Sequence, residues 1–513
     1  MRSEVRVRYA PSPTGGLHIG GVRTVLYNFL FARQHAGRFI LRIEDTDQSR
    51  FVPGAEEFIK DSLRWCGLEP DEGPTQGGPF GPYRQSDRKA IYGPYAEQLV
   101  RADRAYYAFD RPLELETMRA RYKSEEDPNP QYDRKIRMKM RNSLSLTLEE
   151  TERLLEDGTP HVIRLKMPEE NIAVSLDDLI RGRIEFQTEN LDDKVLLKAD
   201  GMPTYHLAAV IDDYLMDITH VFRGEEWLPS APAHVLIWRY LFGEEFMPQW
   251  VHMPLILKPD GNGKLSKRDG GRLGFPVFAM DWTDPNGETH QGFKEIGFLQ
   301  EAFLNMLAML GWNDGTGQEI FSLDELIAKF SLERVHTSGA KFDYEKAKWF
   351  NHEWIKRSSV ERLYGPVRDL FGQKGLVQDD PEKLRAVIAL VKDRCSLLPE
   401  IVEQGRFFFE APTSWDLDSI RPKWNEMKFR FFQEWVDRIE DGPHWSATWL
   451  EERFKMQALE QGLKAGDLQL PLRVMLVGEK KGPPVFEIAA VLGRKETVSR
   501  IERMLPAIGV FQT

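Results

Sequence analysis

The chain has 513 residues, 41% of them hydrophobic and 29% charged, a balance that excludes a disordered or collagen-like polymer and leaves room for several separately cored domains. A formal net charge of -11 argues against a protein that coats polyanions indiscriminately, although local basic patches can still meet a phosphate backbone. The two cysteines, Cys66 and Cys395, stand far apart outside any C-x-x-C, which excludes a disulfide framework and a cysteine-built zinc site and suits a reducing cytosol.

Met1-Arg-Ser-Glu-Val runs into a predicted strand without a signal peptide's apolar core, so a cytoplasmic location is expected. In that strand Val5, Val7 and Tyr9 alternate with Arg6 and Arg8. Ala10-Pro-Ser-Pro-Thr-Gly-Gly-Leu-His-Ile-Gly-Gly21 follows. Pro11 and Pro13 stop regular pairing, and a Gly-rich turn leads into the helical run Val22–Ala36. A strand, such a turn and a helix start predict an anion site with free backbone N–H groups pointing outward and a favourable dipole. The spacing fits neither the dinucleotide nor the P-loop fingerprint, which leaves His18 poised at the turn.

Phe39–Ile43 is the second predicted strand and leads into Arg42-Ile-Glu-Asp-Thr-Asp47. Ligands of open parallel sheets bind beyond the carboxyl ends of strands, which suits Glu44 to an ammonium group. The three carboxylates also read as a Mg²⁺ site, or as a charged loop in which Asp47 caps the next helix, Ala55–Cys66. A Gly/Pro loop, Gly73–Pro82, precedes a helix near Ile91–Ala102 and the charged stretch Leu113–Arg141. Within it Lys123–Arg141, with Tyr122 and Tyr132, reads as a nucleic-acid contact or as a solvated face. Strand-like runs at His161–Lys166, Arg183–Gln187 and Lys194–Lys198 complete an inserted α/β unit.

Sheet-like sequence resumes at Thr204–Asp213, His220–Arg223 and His252–Leu257. Tyr205 and His206 read as pocket wall or aromatic core. Arg8 and Arg223, each at the end of a strand, offer forks for a carboxylate or surface ion pairs. Gly224-Glu-Glu-Trp227 sets an acidic pair beside an indole able to stack on a base. In Lys264-Leu-Ser-Lys-Arg268 two lysines three apart, flanked by glycines, describe a mobile basic loop that closes over phosphates or stays solvated. Phe298–Trp312 is too short and too polar to span a bilayer and reads as an amphipathic helix. Helical patterns then dominate, among them Pro381–Leu398, Lys428–Ile439 and Thr448–Leu463. In 351–513 basic and acidic side chains balance, so this third repels a phosphate backbone least.

Taken in order, Ala10–Gly21, Arg42–Asp47, Thr204–Asp213, Arg223–Trp227 and Lys264–Arg268 closely resemble the bacterial glutamyl-tRNA synthetases, a family of class I aminoacyl-tRNA synthetases. Ala10–Gly21 is similar to that family's form of the "HIGH" signature and Lys264–Arg268 to its form of "KMSKS". The likeness covers residues 4–350, with a weaker echo in Pro471-Leu-Arg-Val-Met-Leu-Val-Gly and Val491-Leu-Gly-Arg. It implies an α/β fold whose Rossmann-type catalytic domain is formed by 1–85 and 203–270, the latter with the lysine loop. An inserted α/β acceptor-stem-binding domain would occupy 86–202, a stem-contact domain 271–350 and helical anticodon-binding domains 351–513.

The resemblance further implies that Arg8, Ser12, Glu44, Tyr205 and Arg223 hold glutamate, Arg223 taking the side-chain carboxylate and Glu44 the amino group. Pro11, Ser12, Thr14, His18, Gly20, Gly21, Glu226, Trp227 and Lys267 would bind ATP, with His18, Lys264 and Lys267 catalytic and Asp47 near the terminal adenosine of the tRNA. Implied partners are L-glutamate, tRNA(Glu) and ATP with Mg²⁺, and a monomer is expected. Two positions depart from the pattern. Ala209 stands where many relatives have a substrate-holding Asn. Tyr107-Ala-Phe109 and Ile136-Arg-Met138 offer no ligands where some relatives bind zinc, so no structural zinc is expected. Competing readings are the glutaminyl enzyme, the shortened relative that glutamylates a modified base, a small-molecule nucleotidyltransferase, and an inactive tRNA-binding protein. Arg223 favours glutamate, the 351–513 region disfavours the shortened relative, the long chain after the lysine loop disfavours a stand-alone nucleotidyltransferase, and His18 with both lysines disfavours inactivity.

Overall fold

A computed structural model describes residues 4–376, 380–439 and 445–509 of the chain. It divides into two compact units, 1–295 with 303–344, and 296–302 with 345–513.

The first unit opens with β1 (Arg6–Tyr9), α1 (Ile19–Gln34), β2 (Arg38–Leu41), α2 (Ala55–Trp65) and α3 (Lys89–Arg101). On α1, Val22, Val25, Leu26, Phe29 and Leu30 form a buried stripe at helical spacing. Each such side chain taken from water contributes about 1.5–3 kcal/mol. There follow β3 (Ala105–Ala108), α4 (Pro112–Tyr122), α5 (Leu148–Glu156), β4 (Val162–Leu165), β5 (Ala173–Asp178), β6 (Gly182–Gln187) and β7 (Val195–Leu197). The unit returns through α6 (Tyr205–Leu215), β8 (His220–Gly224), α7 (Ala231–Leu241) and β9 (Gln249–Met253).

Six strands make the main sheet, in the order β2-β1-β8-β9-β5-β6. All neighbours run parallel except the β5–β6 hairpin. From β1 the chain builds outward to β2; from β8 it builds the other way to β9. The direction of building therefore switches between β1 and β8, and a crevice opens there beyond the strands' carboxyl ends. The β3-β4-β7 strands form a separate antiparallel sheet.

Three elements differ from the sequence reading. Thr204–Asp213 is mostly helix, as α6, because a continuous buried run from Leu207 to Asp213 carries no periodicity that separates helix from strand. Strand β5 was not expected, since Val174 and Leu176 are its only large apolar side chains; it pairs with β9, so the inserted segment contributes two strands to the main sheet. On β1 the arginines do not face solvent: Arg6 and Arg8 are buried, Arg6 on Glu72 at 2.7 and 3.0 Å. Within Lys123–Arg141, Tyr132 and Arg137 are core groups. The Tyr132 hydroxyl donates to Asp110, and Arg137 pairs with buried Asp193.

The second unit is helical. The expected helix Pro381–Leu398 is two, Pro381–Val391 and Leu398–Gly405, separated by the tight turn Lys392–Arg394. Glu426–Arg438 and Ala447–Glu460 pack Phe431 edge-on against Phe432 and Phe454, and Trp435 edge-on against Phe454, at 5.0–5.3 Å. Gln300–Met309 is helical, and among the described residues no helix is long and apolar enough to cross a membrane.

Candidate active site

At the switch point a cleft of about 600 Å³ is lined by every residue singled out above for ATP, glutamate or terminal-adenosine contact and by Lys264–Lys267 of the lysine loop, whereas Arg268 and His206 lie outside it. His18 caps α1, its Nδ1 accepting from the Gly20 N–H at 3.0 Å. Because Nδ1 accepts, the proton of the neutral ring sits on Nε2. That atom is buried without a hydrogen bond of ordinary geometry, although the Ser266 backbone acts on the ring and opposes the loss of its charge. Burial first, then the charges of Lys267 and Lys264, pulls the His18 pKa down to about 3, so the ring stays neutral and Nε2–H is a donor.

The expected free N–H groups at this helix start are not free. Ile19 donates to the Val277 carbonyl at 2.9 Å, while Gly21 and Val22 donate to the His18 carbonyl at 2.8 and 3.1 Å. The donor that the helix start offers an anion is therefore the imidazole, with the helix dipole behind it. Gly15, at φ +138°, lies against the lysine loop: a Cβ there would stand 3.3 Å from the Lys267 ammonium. The loop is braced by Asp269, which accepts from the Ser266 N–H at 2.8 Å and hydroxyl at 2.6 Å. Lys264 is ion-paired with Glu226. Protein around the Lys267 ammonium lowers its pKa, although the side chain remains open to solvent.

The carboxylates of Arg42–Asp47 do not converge on a metal. Glu44 accepts from Arg42 Nη2 at 2.9 Å, and Asp45 takes the Ser86 N–H and hydroxyl at 2.8 and 2.6 Å. Asp47 is exposed and bonds Ser49 and Arg50; it precedes a short 3-10 turn, and Gly54 caps α2 instead. Among the described residues the one set of ligand atoms that does converge is Asp284, Glu288 and His290, none of which lines the cleft. Burial raises the pKa of Glu44, and the charges of Arg42 and Arg8 oppose that rise.

Arg8 lines the cleft, yet its fork is taken by Asp213, at 2.9 Å from Nε and 3.2 Å from Nη2. Arg42 shares the same carboxylate at 2.7 Å. Arg223 differs. Nε donates to His252 Nε2 at 2.8 Å, and Nη1 to the Tyr205 and Ser230 hydroxyls at 3.0 and 3.2 Å. Nη2 is buried with no partner, and among the described residues no carboxylate lies within ion-pair distance of this guanidinium. Tyr205 packs its ring 4.9 Å from that of half-exposed Trp227 at the mouth. Ala209, one helical turn beyond Tyr205, is buried in α6 and does not line the cleft.

Sequence reasoning missed Asp178, Asp213, Ser230 and His252. Asp213 carried a signal, a carboxylate at the end of an otherwise apolar run. Asp178 carried a fainter one, the last inward position of a Val-x-Leu-x-Asp alternation.

The largely parallel sheet, the crevice at its switch point, and the His18 turn with the Lys267 loop lying against it, both lining that crevice, are the features of a class I aminoacyl-tRNA synthetase. Residues 4–349 match the family "tRNA synthetases class I (E and Q), catalytic domain", and residues 352–505 match "Anticodon binding domain". The chain is 51% identical over 511 residues to a glutamate--tRNA ligase of Porphyromonas gingivalis, covering 99% of this chain and 100% of the relative. It is 48% identical over 509 residues to one of Amoebophilus asiaticus, covering 99% of each. A crystal structure of a glutamate tRNA ligase from Elizabethkingia meningosepticum, in complex with its amino acid, superposes with a TM-score of 0.94 at 46% identity, covering 99% of this chain and 100% of that one. The chain belongs to the glutamate--tRNA ligase family.

Proposed function

We propose that this chain activates L-glutamate with ATP to glutamyl-adenylate and pyrophosphate, then passes the glutamyl group to the 3′-terminal adenosine of tRNA(Glu), releasing AMP. The observation that carries the reading is Arg223: a buried guanidinium, unmatched by any carboxylate of the described chain, with Nη2 free at the cleft wall. A cation held there without an anion suits a substrate that brings one. Glu44, held beside Arg42, suits the substrate's ammonium group.

In the first step an α-carboxylate oxygen of glutamate attacks the α-phosphorus, and the bond to the bridging oxygen of pyrophosphate breaks. Positioning and charge neutralisation carry such a transfer. His18 Nε2–H and Lys267 would face the phosphates, and Lys264 would join them on leaving Glu226. In the second step the terminal 2′-hydroxyl attacks the acyl carbon and AMP departs. The cleft carboxylates are already engaged and form no cage for Mg²⁺, so the ion is proposed to enter on the phosphates of ATP, where it supplies charge neutralisation.

We further assign the catalytic domain to 1–85 and 203–270, the acceptor-stem insert to 86–202, the stem-contact domain to 271–350 and the anticodon-binding domains to 351–513, in a cytoplasmic monomer. Charging assays with purified tRNA(Glu) and tRNA(Gln) and labelled glutamate or glutamine test the activity. Glutamate is expected to join tRNA(Glu) in an ATP-dependent reaction; charging by glutamine alone would overturn the assignment.

A further inference from the structure

Arg223 must keep both its charge and its orientation without a carboxylate in contact, and the means lie on β5 and β9. The register pairs Arg223 with His252 across β8 and β9, and Asp178 with Trp250 across β5 and β9. Trp250 and His252 share one face of β9. The Trp250 ring lies under the guanidinium at 4.8 Å, and His252 meets its edge. Behind the histidine, Asp178 Oδ2 accepts from the His252 Nδ1–H at 2.7 Å and from the His252 backbone N–H at 2.9 Å. Its other oxygen accepts from the backbone N–H groups of Ile180 and Arg181 at 3.0 and 2.9 Å. Asp178 is thereby fixed by the hairpin turn, and both it and His252 are shut off from solvent.

We propose that Asp178 and His252 are positioning residues for glutamate recognition: Asp178 fixes the tautomer of His252, whose bare Nε2 holds Arg223 so that Nη2 faces the side-chain carboxylate of the substrate. The proposal rests on the reading of Arg223 as the receptor of that carboxylate. Nδ1 bonded to Asp178 must carry the ring proton, which leaves Nε2 an acceptor for the Arg223 Nε–H. Burial, with the charge of Arg223 adding to it, keeps the His252 pKa below its ordinary value against the raising effect of Asp178, so the ring is neutral.

Interposing a neutral ring has a consequence for specificity. A carboxylate bonded directly to Arg223 would orient it equally well but would compete with glutamate for the charge, as Asp213 does at Arg8. The histidine orients and does not neutralise. A positive charge left over favours a carboxylate over an amide, which is the discrimination between glutamate and glutamine.

Two isosteres divide the roles of the ring. The amide of Gln reaches the position of Nε2 and can accept from Arg223; the amide of Asn reaches the position of Nδ1 and can donate only to Asp178. Glutamate and ATP requirements of aminoacylation are to be measured for H252Q, H252N and R223A, with melting temperatures. H252N is expected to raise the glutamate KM roughly 10- to 100-fold, the loss of one hydrogen bond to a charged group, with the ATP KM unchanged. H252Q is expected to stay near the native value. An unchanged glutamate KM in H252N, or an equal rise in both variants, would overturn the proposal. R223A separates the two levels: an unchanged glutamate KM there refutes the underlying reading of Arg223 itself. Nitrogen-15 NMR of the native ring needs no variant. An unprotonated Nε2 at neutral pH supports the proposal and a protonated one overturns it.

Discussion

Replacing Arg223 by alanine tests the recognition of the substrate most directly. The native Arg223 residue is 6% exposed, and its guanidinium spends three of its N–H groups on His252, Tyr205 and Ser230, leaving Nη2 for a ligand. In R223A the γ-carboxylate of glutamate would enter the same wall without a counter-charge. Breaking a buried ion pair on one side costs about 3–5 kcal/mol, and 1.4 kcal/mol is a factor of ten, which sets a loss of about 10²- to 4 × 10³-fold. Water admitted to the vacated space favours the lower end. Arg223 bonds none of the residues proposed for ATP, so the ATP KM is expected to hold. Glutamine has no charge to strand and should lose far less, so the preference for glutamate over glutamine should shrink in step. The assay is aminoacylation of tRNA(Glu) at varied glutamate and at varied ATP, with the melting temperature as a check on folding. A glutamate KM that does not move, or one that rises together with the ATP KM, would refute the assignment of Arg223.

Lys267→Ala should cut aminoacylation by about 10²-fold or more, the scale set by losing one transition-state donor, and near-normal turnover would remove Lys267 from the reaction. His18→Asn keeps an acceptor for the Gly20 N–H and so should preserve the cap of α1 and the melting temperature, while losing the Nε2 donor and about 10²-fold in turnover. A variant of normal activity would mean that His18 serves only as a cap. Acid stability follows from three histidines whose burial lowers their pKa values, His18 to about 3 and His206 and His220 to about 4, from an ordinary 6.5. Between pH 6.5 and 4 the unfolded chain binds protons that the folded one refuses, so their contribution is complete above 6.5 and is lost as pH falls. The melting temperature should fall across that window, less steeply in His220→Gln; a flat profile would contradict the burial of these rings.

The groups proposed to meet ligands were picked out in the sequence because such chemistry demands particular residues at strand ends: His18 in a Gly-rich turn, Lys264 and Lys267 in a flanked loop, Glu44 after β2. The partnerships that decide what each group is free to do were not legible. Arg8 and Asp213 lie 205 positions apart, Asp178 and His252 74 apart, and no local pattern couples them. The start of α1 shows the same limit. Its N–H groups looked available because the Val277 carbonyl that takes one of them arrives from a distant segment. The strand β5 was missed for a related reason. Half of its positions face inward and would normally be apolar, and Asp178 occupies the last of them.

Three arginines that look alike in the sequence therefore end in different roles, decided by what stands beside each. Arg8 and Arg42 converge on Asp213, and Arg42 also holds Glu44. Their charges are spent inside the protein on fixing an acid in the cleft. Arg223 meets a neutral imidazole and two hydroxyls, so its charge is not spent. One wall is thus left with a held carboxylate and the other with an unmatched guanidinium, an arrangement complementary to an amino acid that carries an ammonium group at one end and a second carboxylate at the other. Moving a carboxylate into contact with Arg223 would leave every residue proposed to meet a ligand in place and still remove the basis of that complementarity.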